Sequence, residues 1–145
     1  MLGGPGMNAR LNVILRERRG LVYSVESSMV CYGDTGLWSV YFGCDPHDVN
    51  RCVRLVKGEF KRLMEKPLPE KTLAAAKKQI KGQLAVACDN NENFAIDFGK
   101  SFLHFGDEKD IEKLYQKIDA VTAEQIQQVA KEIFDKDSLA TLVIK

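Results

Sequence analysis

The stretch Leu15-Arg16-Glu17-Arg18-Arg19-Gly20-Leu21-Val22-Tyr23-Ser24-Val25 constrains this chain more than any other. Upstream of it, Asn8 to Arg19 places Leu11, Ile14 and Leu15 on one stripe at helical spacing. Gly20 stands where a helix takes its left-handed stop. From Val22 to Cys31 the period changes to two, with Tyr23, Val25, Ser27 and Met29 on one face and Val22, Ser24, Glu26 and Ser28 on the other. The segment therefore predicts a helix, a glycine stop and a strand. An arginine and a tyrosine flank the joint.

The turn Gly33-Asp34-Thr35-Gly36 and a second strand, Leu37 to Cys44, complete a hairpin. Asp45-Pro46 predicts a helix start, with Asp45 capping free amides and Pro46 at a position where its missing donor costs nothing. Val49, Cys52, Val53, Val56, Phe60, Leu63 and Met64 then form one apolar stripe. Lys66-Pro67-Leu68-Pro69 ends that helix. The next carries Leu73, Ala76, Ile80, Leu84 and Ala87, and Asp89-Asn90-Asn91 breaks or bends it.

Phe94, Phe98 and Phe102 recur every four residues on a segment ending at Gly106, and read as core. Ile111, Leu114, Tyr115 and Ile118 mark a short helix. Thr122 with Gln125 has capping-box spacing ahead of a last helix through Phe134, and Leu139 to Ile144 reads as a final strand. Strands do not alternate with single crossover helices, so the class is α+β, an antiparallel sheet covered by helices. Three strands are few for the helices that follow. The length of 145 residues predicts a single domain over residues 1–145.

Composition removes several functions. A net charge of +1 argues against a nucleic-acid or anionic-membrane surface. No apolar run approaches the roughly 18 residues of a membrane span. The four cysteines, Cys31, Cys44, Cys52 and Cys88, show no Cys-x-x-Cys spacing and there are only two histidines, His47 and His104, so buried reduced thiols are expected rather than a metal site. Reduced thiols favour the cytoplasm. Gly3-Gly4-Pro5-Gly6 lacks the ending of a phosphate loop, and Gly-x-Ser-x-Gly, His-Glu-x-x-His and His-x-x-Glu-His are all absent. Charges at Arg18 and Arg19 suit the end of a helix without any ligand.

Leu2-Gly3-Gly4-Pro5-Gly6-Met7-Asn8-Ala9-Arg10-Leu11, followed by the Leu15 to Val25 joint, resembles the pitrilysin/insulinase family of zinc peptidases, which includes processing-peptidase subunits and respiratory bc1 core subunits. The similarity continues through Tyr32-Gly33-Asp34-Thr35-Gly36 and Tyr41-Phe42-Gly43-Cys44-Asp45. It implies two homologous halves closing as a clamshell, with zinc on the first. The second half lacks zinc ligands and supplies an arginine and a tyrosine, here Arg16 and Tyr23. The resemblance implies that Tyr23 donates a hydrogen bond to the scissile carbonyl and that Arg16 holds the substrate backbone or a neighbouring carboxylate.

On this reading no residue is catalytic in this chain alone, none binds metal, and zinc is expected in the N-terminal half. The expected partners are a peptide substrate and a zinc-bearing half or partner subunit. Such domains begin with a strand and a helix ahead of the Leu-Gly-Gly turn. The chain is therefore expected to be an N-terminally truncated fragment, which leaves export open, and to self-associate through open strand edges. A non-catalytic structural or interaction subunit of the same superfamily is the alternative, and a free-standing peptide-binding domain a weaker third.

Overall fold

The computed structural model describes the backbone of every residue except 5, 90, 107–109 and 145, and the side chains of all but these and residues 91, 93, 105 and 136. Its elements run in the order π-helix Asn12–Glu17, β1 Val22–Cys31, β2 Gly36–Cys44, a 3-10 turn Pro46–Asp48, α1 Val49–Glu65, α2 Glu70–Cys88, α3 Asn91–Phe105, α4 Ile111–Ala120, α5 Ala123–Ile133 and a 3-10 turn Lys136–Ser138. This is an α+β chain with a two-stranded antiparallel sheet. Two compact units are present, Met1–Pro67 with Gln127–Lys145, and Leu68–Ile126. Among the described residues no helix is long and apolar enough to cross a membrane.

In the first unit, Leu11, Leu15, Val22, Val25, Cys52, Val56, Phe60, Leu63, Ala130 and Phe134 are buried. Phe60 and Phe134 stack with centroids 4.4 Å apart, and Trp38 tilts against both at 5.3 and 4.8 Å. Gln127 Nε2 donates to the Met64 carbonyl at 2.8 Å. The hairpin pairs Glu26 with Tyr41 and Met29 with Trp38, but its register shifts between Val22 and Val25. Both valines are buried although three residues apart, which strict alternation forbids. The bulge therefore corrects the two-face reading of β1.

In the second unit, Lys81 Nζ bonds both Asp119 carboxylate oxygens at 2.8 and 2.9 Å, and Lys77 Nζ reaches the Asp119 carbonyl at 2.7 Å. Asp110 caps α4 through the amides of Glu112 and Lys113. Thr122 and Gln125 exchange the two bonds of a capping box, at 2.8 and 3.2 Å. Gly106 closes α3 in the left-handed region, its amide on the Phe102 carbonyl.

Three further expectations need correction. Leu139 to Ile144 forms no strand: apolar propensity yields one only where an edge receives it, and Leu142 and Ile144 are 85% and 86% exposed. The Asp45 side chain makes no capping bond; the Asp45 carbonyl instead accepts from the Asp48 amide, closing a 3-10 turn before α1 begins. Phe94, Phe98 and Phe102 follow one another along α3 at 6.4 Å steps, but Phe94 and Phe102 are 39% and 53% exposed, so the stripe is not core among the described residues. The break near residue 89 falls between α2 and α3 as expected; Asn90 itself lies outside the described residues, as does Pro5 of the glycine-rich lead-in.

Candidate functional site

Local backbone chemistry builds the joint. Amides at the helix start are taken by the lead-in, Arg10 N on the Met1 carbonyl at 3.1 Å and Leu11 N on the Leu2 carbonyl at 2.9 Å. The helix is wider than the apolar stripe suggests: Arg18 N donates to the Val13 carbonyl, a five-residue step. At its end Gly20 adopts φ +59°, with Gly20 N on the Arg16 carbonyl at 2.8 Å and Leu21 N on the Leu15 carbonyl at 2.9 Å. Each bond spans one residue more than in the glycine stop of an α-helix, as π-helical winding requires. Arg19 Nη1 satisfies the Ile14 carbonyl at 3.0 Å, so this arginine serves the helix end.

Leu11 and Leu15 are fully buried, which anchors one side of the helix and leaves Arg16 half-exposed on the other. Tyr23, on the strand side of the glycine, is 87% exposed. The two side chains meet: Arg16 Cζ lies 5.6 Å from the centre of the Tyr23 ring. Such a contact at an exposed site contributes about 0.5–1 kcal/mol, enough to bias both rotamers. The Tyr23 hydroxyl has no hydrogen-bond partner among the described residues, and Arg16 Nε reaches only Glu17, at 3.8 Å. Both groups thus hold unused donors.

Beside Arg16 lies a cavity of about 420 Å³. Gly3, Gly4 and Gly6 line one side, Ser24 to Ser27 of β1 another, and Asn12 and Arg16 the helix side. The Gly3 carbonyl accepts from Ser27 N at 2.9 Å, and a Cβ on Gly3 would lie 2.9 Å from that nitrogen. Glycine is therefore required there by close approach. The lead-in is a spacer between strand and helix rather than a phosphate cradle.

The residues do not fit a catalytic zinc. Among the described residues the one group of potential ligands is Asp45, His47 and Asp48, on the surface ahead of α1. His47 and Arg51 already engage the Asp48 carboxylate at 3.2 and 3.7 Å, so a cation there would compete with an arginine. His104, Asp107 and Glu108 form no such motif in sequence, and the last two lie outside the described residues. All four cysteines are free; Cys52 is buried, Cys44 and Cys88 partly so, and Cys31 is exposed, which corrects the expectation of four buried thiols.

Arg16 and Tyr23, the two residues that the family resemblance singles out, are thus in contact. Asn12 and the β1 wall of the cavity escape sequence reasoning, because they meet only when the lead-in folds back onto the strand. The nearest local signal is the glycine run itself.

Residues 1–80 match the family model described as the peptidase M16 inactive domain. An uncharacterized zinc protease of Streptomyces coelicolor is 30% identical over 133 residues, 92% of this chain and 29% of that protein. The mitochondrial-processing peptidase subunit beta of Bos taurus is 32% identical over 142 residues, 97% of this chain and 29% of that one. The chain thus spans about three-tenths of the length of these curated relatives. Among solved structures, a peptidase M16 inactive domain from Pseudomonas fluorescens superposes with a TM-score of 0.78 at 23% identity, covering 90% of this chain and 31% of that one. A chain of complex III from Candida albicans gives 0.75 at 25% identity over 86% of this chain and 30% of that one.

Proposed function

This chain belongs to the M16 peptidase family as its inactive domain, and from that membership we propose that it is the substrate-holding, zinc-free half of a zinc metalloendopeptidase. The observation that carries this reading is the contact of Tyr23 with Arg16, which itself lines a cavity, both with donors to spare. Tyr23 donates a hydrogen bond to the carbonyl oxygen of the bond to be cut, where negative charge grows. Arg16, with a planar fork of donors, holds a neighbouring main-chain carbonyl or carboxylate of the peptide. Zinc belongs to the homologous N-terminal half or a partner subunit, consistent with relatives that are zinc proteases or a processing-peptidase subunit.

The test uses the full-length protein with its zinc-bearing half and an internally quenched peptide. Tyr23→Phe is expected to lower turnover about a hundredfold or more, the scale of losing one transition-state donor, and Arg16→Ala at least about tenfold, the scale of a lost charged hydrogen bond, with zinc content unchanged by elemental analysis. Wild-type turnover in both variants would overturn the assignment. The likeness to a complex III chain favours, as a second reading, a non-catalytic structural subunit. That reading expects Tyr23→Phe to change nothing and no zinc in the assembly.

A further inference from the structure

Asn12 stands four residues before Arg16 on the same cavity wall. Its Nδ2 donates to the Gly6 carbonyl at 3.4 Å, which settles which terminal atom is nitrogen and which is oxygen, since the reverse would set oxygen against oxygen. Its Oδ1 is buried and has no hydrogen-bond partner among the described residues. Buried acceptors are almost always paired, so an orphaned one beside a cavity asks for a donor from outside the chain. The Gly6 bond is at the long limit of a hydrogen bond, and the terminal torsion of asparagine is soft. A small rotation therefore presents Oδ1 to the cavity.

The polar groups on this wall are complementary. Asn12 offers an acceptor and Arg16 offers donors, while Gly3, Gly4 and Gly6 put no side chain in the way of an approaching backbone. A peptide unit carries one donor and one acceptor, and so matches the pair. We propose that Asn12 is a substrate-positioning residue that accepts a hydrogen bond from a main-chain N–H of the bound peptide whose carbonyl Arg16 holds. The assignment rests on the role given to Arg16 above.

The experiment measures binding of a fluorescein-labelled β-casein peptide to the full-length protein with its zinc-bearing half, under chelator so that nothing is cut. Asn12→Leu, close in shape but without an acceptor, is expected to weaken binding about tenfold, the scale of one lost hydrogen bond. Asn12→Asp keeps the acceptor and is expected to stay within about threefold. A scan of peptides N-methylated at successive main-chain nitrogens should find one position that weakens binding to the wild type and makes no difference to Asn12→Leu. Equal affinity of wild type and Asn12→Leu, or the same N-methyl profile for both, would overturn the proposal and assign the oxygen to trapped water. Arg16→Ala separates the two readings: if it binds as wild type the reading of Arg16 fails, and if it alone weakens binding only the reading of Asn12 fails. Should Asn12→Leu lose its folded Trp38 emission, the scan against Asn12→Asp and Asn12→Ser decides, the methyl penalty persisting in the first and vanishing in the second.

Discussion

Arg10 and Glu59 join the segment that carries Arg16 to α1, through an ion pair of 3.6 Å. Glu59 is 3% exposed, and its other oxygen accepts from Arg62 Nη1 at 2.8 Å. A buried carboxylate shared by two guanidiniums loses much of both bonds when its charge is removed. Glu59→Gln is expected to lower the unfolding free energy by about 1.5–3 kcal/mol. Urea denaturation followed by circular dichroism checks this, and an unchanged midpoint would show that the pair is incidental.

Gly3 and Gly4 are neighbours in sequence but not in what they tolerate. A Cβ on Gly3 would meet Ser27 N at 2.9 Å, whereas on Gly4 the nearest atom lies at 3.8 Å. Gly3→Ala must push the lead-in off β1 and is expected to cost about 1–3 kcal/mol, as overpacking does. It should also expose the Ser27 amide, whose bond to Gly3 is broken, to faster hydrogen exchange. Gly4→Ala is the control and should leave both stability and exchange unchanged.

What could be read from the sequence divides along the range of the interactions. Gly20 as a helix stop and Thr122 with Gln125 as a capping box were legible, because each rests on bonds a few residues long. The hairpin and the positions of the helices followed from period, but the burial of the stripes did not: Ile80, Phe102 and Val129 all lie exposed. Glu59 was not legible, since a charge on an amphipathic helix is ordinarily solvated, and its burial is compensated by Arg62 of the same helix together with Arg10, which reaches it from a segment distant in sequence. The bulge that buries both Val22 and Val25 is a property of strand pairing. Leu139 to Ile144 has the composition of a strand but no paired edge. In the candidate site, Arg16 and Tyr23 were singled out only by the family resemblance, since a charge at a helix end and an aromatic on a strand are ordinary by themselves, whereas Asn12 became visible only once the lead-in had closed one side of the cavity.

Phe134 contributes the last large ring of the first unit, stacked on Phe60 and tilted against Trp38. Truncating a buried phenylalanine leaves a cavity that its neighbours fill only in part. Phe134→Ala is expected to cost about 3–5 kcal/mol. Because Trp38 is the one tryptophan of the chain, its emission reports this cluster alone. The folded variant should show a red shift as water reaches the indole; an unshifted spectrum with wild-type stability would mean that α5 repacks without the ring.

Cys52 has no exposed surface, and burial, with Cys44 beside it, pushes its thiol up to about 11 from about 9. In the unfolded chain the thiol gives up its proton near pH 9; in the folded chain it keeps it until about pH 11. Between those values the folded state binds more protons than the unfolded state, so stability falls as pH rises. Below about pH 9 the contribution is fully present, and above about pH 11 it is gone. Cys52→Ala lacks this titration but carries a constant cost for the space it leaves. The gap in urea midpoint between wild type and Cys52→Ala should therefore be widest at neutral pH and narrow steadily from pH 9 to pH 11. Parallel curves across that window would mean that the thiol titrates alike in both states, and that the first unit opens around Cys52 before it unfolds.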